Sequence, residues 1–130
     1  MANAWQAYVD HMLSSGIQMG GIYGQDGNVW AASPLMKATP QEVAAIVSGL
    51  RSQSFEQGVH IGGQKYTVIR FQSDSVTAKC RTAPQEDQKY LLHACLGKTC
   101  VLIGGICGPA ERDCTKKVED LRDYLAGNNI

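Results

Sequence analysis

Between Val59 and Ile106 the apolar residues follow a two-residue period, interrupted by turn-forming residues every eight to ten positions. This leaves few folds open. Alternation sends successive side chains to opposite faces of a strand. The connections Gly62-Gly63, Gln72–Ser75, Thr82–Asp87 and Leu96-Gly97-Lys98 are too short for a parallel crossover, which needs a dozen residues or more. Strands are therefore predicted near Val59–Ile61, Lys65–Phe71, Val76–Arg81, Lys89–Cys95 and Thr99–Ile106, paired as an antiparallel meander.

On both sides the period becomes helical. Asn3 can cap a helix bearing Trp5, Tyr8, Val9, Met12 and Leu13 on one side, with Gly16 as its stop. Two short strands, near Ile17–Gly24 and Val29–Ala32, flank Gln25-Asp26-Gly27-Asn28, whose Asp-Gly favours a hairpin. Thr39-Pro40-Gln41-Glu42 joins a capping box to a proline at the first helical position, ahead of the stripe Val43, Ile46, Val47 and Leu50. A last helix is predicted from Pro109 to Gly127 on the stripe Cys114, Val118, Leu121 and Leu125. At 130 residues and 44% apolar content the chain can build one core, and the expectation is one α+β domain over residues 1–130, with about seven strands.

Charge and cysteine usage exclude several classes. Twelve Lys+Arg balance twelve Asp+Glu, so no basic field spans the molecule and no nucleic-acid partner is expected. The longest apolar run is the five residues Val43–Val47, far short of the twenty or so that cross a membrane. Asp10 and His11 interrupt the N-terminal stretch, unlike a secretory signal. The five cysteines are odd in number and mostly in apolar company, which suits reduced, buried thiols of a cytosolic protein. The spacing Cys95-x4-Cys100-x6-Cys107-x6-Cys114 fits no zinc pattern, and neither metal nor cofactor is expected. Gly97-Lys98-Thr99 resembles the end of a phosphate-binding loop, but Leu92 stands where its first glycine belongs, and Gly58-x4-Gly63 is followed by Gln64 instead of lysine. His93 and Cys95 share a strand face, a conceivable thiol–imidazole pair, without an oxyanion site or an orienting third group. No catalytic residue is assigned.

The charge is unevenly placed. From 65 to 98 the cations Lys65, Arg70, Lys79, Arg81, Lys89 and Lys98 face only Asp74, Glu86 and Asp87, which suits either a protected sheet edge or a docking face for an acidic partner. The aromatic residues Trp5, Tyr8, Trp30 and Tyr124 are equally open: they can be core, or a half-exposed shelf of the kind that binds proline-rich segments.

Several blocks narrow this choice. Trp5-Gln6-Ala7-Tyr8-Val9-Asp10, Val29-Trp30-Ala31, Gly62-Gly63-Gln64-Lys65-Tyr66-Thr67-Val68-Ile69-Arg70, Gly97-Lys98-Thr99 and Val118-Glu119-Asp120-Leu121-Arg122-Asp123-Tyr124-Leu125 resemble the profilins, in profilin order and across nearly the whole chain. The resemblance implies a sheet with the N- and C-terminal helices packed together on one face and shorter helical segments on the other. It implies a cytoplasmic, cytoskeletal monomer that binds monomeric actin, proline-rich proteins such as formin-type assembly factors, and, weakly, anionic phosphoinositides. By the same likeness the poly-proline groove falls on Trp5, Tyr8, Trp30, Tyr124, Leu125 and Ile130, the last standing where many profilins end in an aromatic residue. The actin face falls on Lys65, Thr67, Arg70, Lys79, Arg81, Lys116 and Asp120, and the lipid contacts on Lys65, Lys79, Arg81 and Lys98. Lys65 and Arg70 are an odd number of residues apart, so a regular strand cannot aim both at one partner. The alternatives are a roadblock- or longin-like scaffold, with both tryptophans buried, and a Cys95/His93 hydrolase.

Overall fold

The computed structural model describes residues 4–33, 36, 38–55, 58–72, 74–80, 90–107 and 113–127. In chain order its elements are α1 (Ala4–Ser14), β1 (Met19–Gly24), β2 (Val29–Ala32), α2 (Pro40–Ser52), β3 (Val59–Ile61), β4 (Gln64–Phe71), β5 (Ser75–Lys79), β6 (Leu91–Leu96), β7 (Cys100–Ile106) and α3 (Cys114–Gly127). The seven strands form one sheet in the order β2-β1-β7-β6-β5-β4-β3, antiparallel throughout. The predicted meander accounts for β3 to β7. The hairpin β1–β2 joins it from the side, with the full length of β1 paired to β7 from Met19↔Gly105 to Gly24↔Cys100.

Each face of the sheet buries its own core. On one, Val43, Ile46, Val47 and Leu50 of α2 meet Tyr23, Val59, Ile61, Tyr66, Val76, Ala78, Leu92, Val101 and Ile103. On the other, Val9 and Met12 of α1 and Val118, Leu121 and Leu125 of α3 meet Ile22, Ala31, Cys95, Leu102 and Ile106. The terminal helices thus share a face, as expected, while α2, at 13 residues, is longer than the 11-residue α1. The capping box at Thr39 forms in full: its hydroxyl takes the Glu42 N–H at 3.1 Å, and Glu42 accepts from the Thr39 N–H at 2.9 Å. Glu42 also receives the Gly62 and Gly63 N–H groups at 2.7 and 3.0 Å, which ties the start of α2 to the β3–β4 turn. Gly104 lets α3 approach β7 closely, since a Cβ there would lie 2.6 Å from Val118 Cγ2. The α-helix of α3 begins at Cys114; Pro109, its expected start, lies outside the described residues, as do Asn3, the loop Thr82–Asp87, Arg81 and Ile130.

Two strands break the alternation on which the sequence reading rests. In β2 the register runs Ile22↔Ala31 and then Tyr23↔Val29, so Trp30 is the extra residue of a β-bulge. In β4 it runs Val68↔Ala78 and then Arg70↔Thr77, which makes Ile69 extra.

Candidate functional site

The β2 bulge sets up the first surface. Strict alternation would point Trp30 and Ala31 to opposite faces, yet both pack on the side of α1 and α3. Trp30 meets Trp5 of α1 with ring centroids 4.8 Å apart; Trp5 is 6.0 Å from Tyr8, and Tyr8 is 6.1 Å from Tyr124 of α3. These tilted contacts form one continuous row, Trp30–Trp5–Tyr8–Tyr124, of half-buried rings ending in a Tyr124 that is 58% exposed. Half-burial is what a binding shelf needs: the rings are held in place but keep a face for a ligand. Beyond Tyr8 and Tyr124 the row opens into a cleft of about 600 Å³ between α1 and α3, floored by Met12 and Leu121. Leu125 behaves differently from its expected place in the groove. It is fully buried, because the stripe that seats α3 on the sheet includes it, and it supports the row from beneath.

The second surface lies across β4 and β5. Thr67 pairs with Lys79 and Arg70 with Thr77, and Lys79 and Thr77 share a face of β5. The bulge at Ile69 therefore returns Arg70 to the face that already carries Lys65 and Thr67. This corrects the parity objection to Arg70, which assumed a regular strand. Lys98 is not brought to this patch: Lys79 pairs with Leu91 at the start of β6, and Lys98 follows the far end of β6, roughly 20 Å away at about 3.3 Å per residue. On α3, Lys116 and Asp120 form an exposed pair at 3.0 Å, with Asp120 bordering the α1–α3 cleft. One residue earlier, Glu119 turns toward the sheet, where its Oε2 lies 2.7 Å from His93 Nε2, an ion-pair distance without hydrogen-bond alignment. Arg122 bonds Asp74 at 2.8 Å and the Leu96 carbonyl at 3.2 Å, fixing α3 against the β4–β5 turn. The sequence reading missed Glu119. Its signal was a helical residue one step from the apolar stripe, opposite a histidine in a buried strand.

The thiol–imidazole alternative fails on geometry. Cys95 is fully buried, burial pushes its thiol pKa well up, and its Sγ faces the Val118 carbonyl at 3.9 Å. His93 is engaged elsewhere, its Nδ1 2.8 Å from Thr77 Oγ1. No disulfide joins Cys80, Cys95, Cys100, Cys107 or Cys114. Among the described residues no group of three His, Cys, Asp or Glu side chains could hold a metal ion, and no helix is long and apolar enough to cross a membrane.

Comparison with known proteins decides the family, because residues 3–130 match Profilin. The chain belongs to the profilin family. It is 32% identical over 130 residues to the profilin of Schizosaccharomyces pombe, covering 95% of this chain and 97% of that one. Mouse profilin IIa, solved in complex with a double repeat from the FH1 domain of mDia1, superposes with a TM-score of 0.82 at 25% identity, covering 98% of this chain and 99% of that one. LokiProfilin1, solved in a complex with rabbit actin, shares the fold with a TM-score of 0.75 at 16% identity, over 98% of both chains. Membership in the profilins replaces the roadblock- and longin-like alternative. The half-buried tryptophans, which that alternative would have buried, agree.

Proposed function

We propose that this chain is a non-enzymatic regulator of actin polymerisation, one cytoplasmic, monomeric domain over residues 1–130 that holds two partners on separate surfaces. Proline-rich segments of formin-type assembly factors lie on Trp5, Tyr8, Trp30 and Tyr124, with Leu125 beneath and the terminal Ile130 as the remaining wall. Monomeric actin docks on Lys65, Thr67, Arg70 and Lys79, extended by Arg81 and by Lys116 and Asp120 on α3. The observation that carries this reading is the unbroken aromatic row, with neighbouring centroids 4.8 to 6.1 Å apart, at the meeting of α1, α3 and β2. A polyproline II helix is already extended and ordered, so docking it on such a row costs little entropy. One profilin is solved with an FH1 repeat and another with actin, the two kinds of partner proposed here. Lys65 and Lys79, with Arg81, also suit an anionic phosphoinositide surface, where each cation contributes about 1 kcal/mol; Lys98 stands apart from that cluster.

Retention on poly-L-proline resin tests the first surface, with a shift of intrinsic tryptophan fluorescence on adding the polymer as the solution counterpart. Trp5 and Trp30 are the only tryptophans, and both are in the row. A folded protein that passes through the resin unretained contradicts the assignment.

A further inference from the structure

His93 is a buried polar residue that neither partner surface uses directly. Its side chain is 2% exposed, with Nδ1 2.8 Å from the Thr77 hydroxyl and Nε2 2.7 Å from Glu119 Oε2. Burial is the largest influence on its proton affinity and lowers it; Glu119 opposes, while Arg70 of β4 and Arg122 of α3 act with burial. The ring is therefore neutral near pH 7, and the tautomer with its proton on Nε2, 2.7 Å from the Glu119 carboxylate but not aligned on it as a hydrogen bond, leaves Nδ1 to accept from the Thr77 hydroxyl. His93 lies opposite Thr77 on β5 and Gly104 on β7, so neither neighbouring strand places a charge directly against it.

Glu119 is one-third exposed, and among the described residues His93 is its one polar partner. A carboxylate accepts about four hydrogen bonds, so most of this one's capacity is met by water. Covering the β4–β5 face would displace that water, and a desolvated carboxylate without a donor is costly. Lys65 and Arg70, on the same face of β4, disfavour a partner cation beside them. A carboxylate with acceptor capacity to spare favours a basic side chain of the partner, and such a mark fixes register as well as affinity.

The geometry points to Glu119, held by His93 and Thr77, as the acceptor for a lysine or arginine of the docked actin, with His93 as its positioning residue. This rests on the reading of the β4–β5 face as the actin surface. Fluorescence anisotropy of labelled monomeric actin, titrated with each variant, tests it. Glu119→Gln weakens capture by about tenfold or more, as close charge pairs at interfaces do, while the tryptophan response to poly-L-proline stays intact and reports folding. His93→Ala weakens capture by about fivefold, and His93→Gln, whose amide supplies an N–H, recovers it to within about twofold of wild type. Loss of packing alone would not be repaired in that way. Should His93→Ala fail to fold, Glu119→Gln and His93→Gln carry the test. Capture by Glu119→Gln equal to or tighter than wild type overturns the proposal, and so does a folded His93→Gln that captures no better than a folded His93→Ala or falls more than about fivefold below wild type. If wild type captures no actin, the reading of the face falls instead.

Discussion

Each of the two surfaces contains a β-bulge, and the two bulges act differently. In β2 the extra residue itself enters the aromatic row: Trp30 leaves the alternation and joins Trp5 on the α1 side. In β4 the extra residue, Ile69, is 49% exposed, and the benefit goes to its neighbour Arg70, brought back into phase with Thr67. The surfaces that result differ in kind. One is a row of uncharged rings in contact, of the kind that binds through apolar contact and resists salt. The other is a set of charges, of the kind that steers a partner at long range and weakens as ions screen it. A protein carrying both can answer two partners by different physics, provided the surfaces do not overlap.

Removing a ring from the row is the most severe way to break that contrast. Trp5→Ala or Tyr8→Ala should cost about 2 kcal/mol or more of poly-proline binding, as buried aromatic anchors do, and leave actin capture unchanged. Circular dichroism establishes that the variants fold, and isothermal titration calorimetry measures the loss. Lys79→Glu should do the converse, weakening actin capture by about tenfold with a steep dependence on salt. Poly-proline affinity should hold, and equal loss of both activities would mean a shared site or unfolding.

A third change sharpens the comparison by touching neither surface. Burial alone would raise the Glu42 pKa, but the N–H groups of Gly63, Thr39 and Gly62 and the Thr39 hydroxyl outweigh it and hold the carboxyl below its ordinary value. A carboxylate of this kind adds stability above its unfolded pKa of about 4.3, and the contribution is lost as pH falls through the lower folded value. Glu42→Gln should therefore destabilise the protein by about 1 kcal/mol at neutral pH, a modest figure because solvent reaches the group. Below about pH 4 the difference from wild type should shrink. Thermal melts across pH measure this, and both binding activities should be normal in the folded variant.

Much of this structure was legible from local chemistry. The capping box at Thr39, the Asp-Gly hairpin and the two helical stripes are signals contained within a few residues, and each formed where expected. The bulges were not legible, because an extra residue is defined only by its partner strand; parity arguments then misjudged Arg70 and gave no hint of how Trp30 turns. Leu125 was assigned to the groove through family likeness, although its place in the stripe of α3 already marked it as core. The pairing of His93 with Glu119 joins residues on different elements, and only the docking of α3, permitted by Gly104, brings them together.

The most direct test of two independent surfaces is to titrate monomeric actin with the protein in the presence and absence of saturating poly-L-proline. Independence predicts a change in actin affinity below about threefold, under the usual range of allosteric coupling, and a sedimenting species containing all three components. Mutual exclusion of actin and poly-proline would contradict it, and would show that the aromatic row and the β4–β5 face serve one overlapping site.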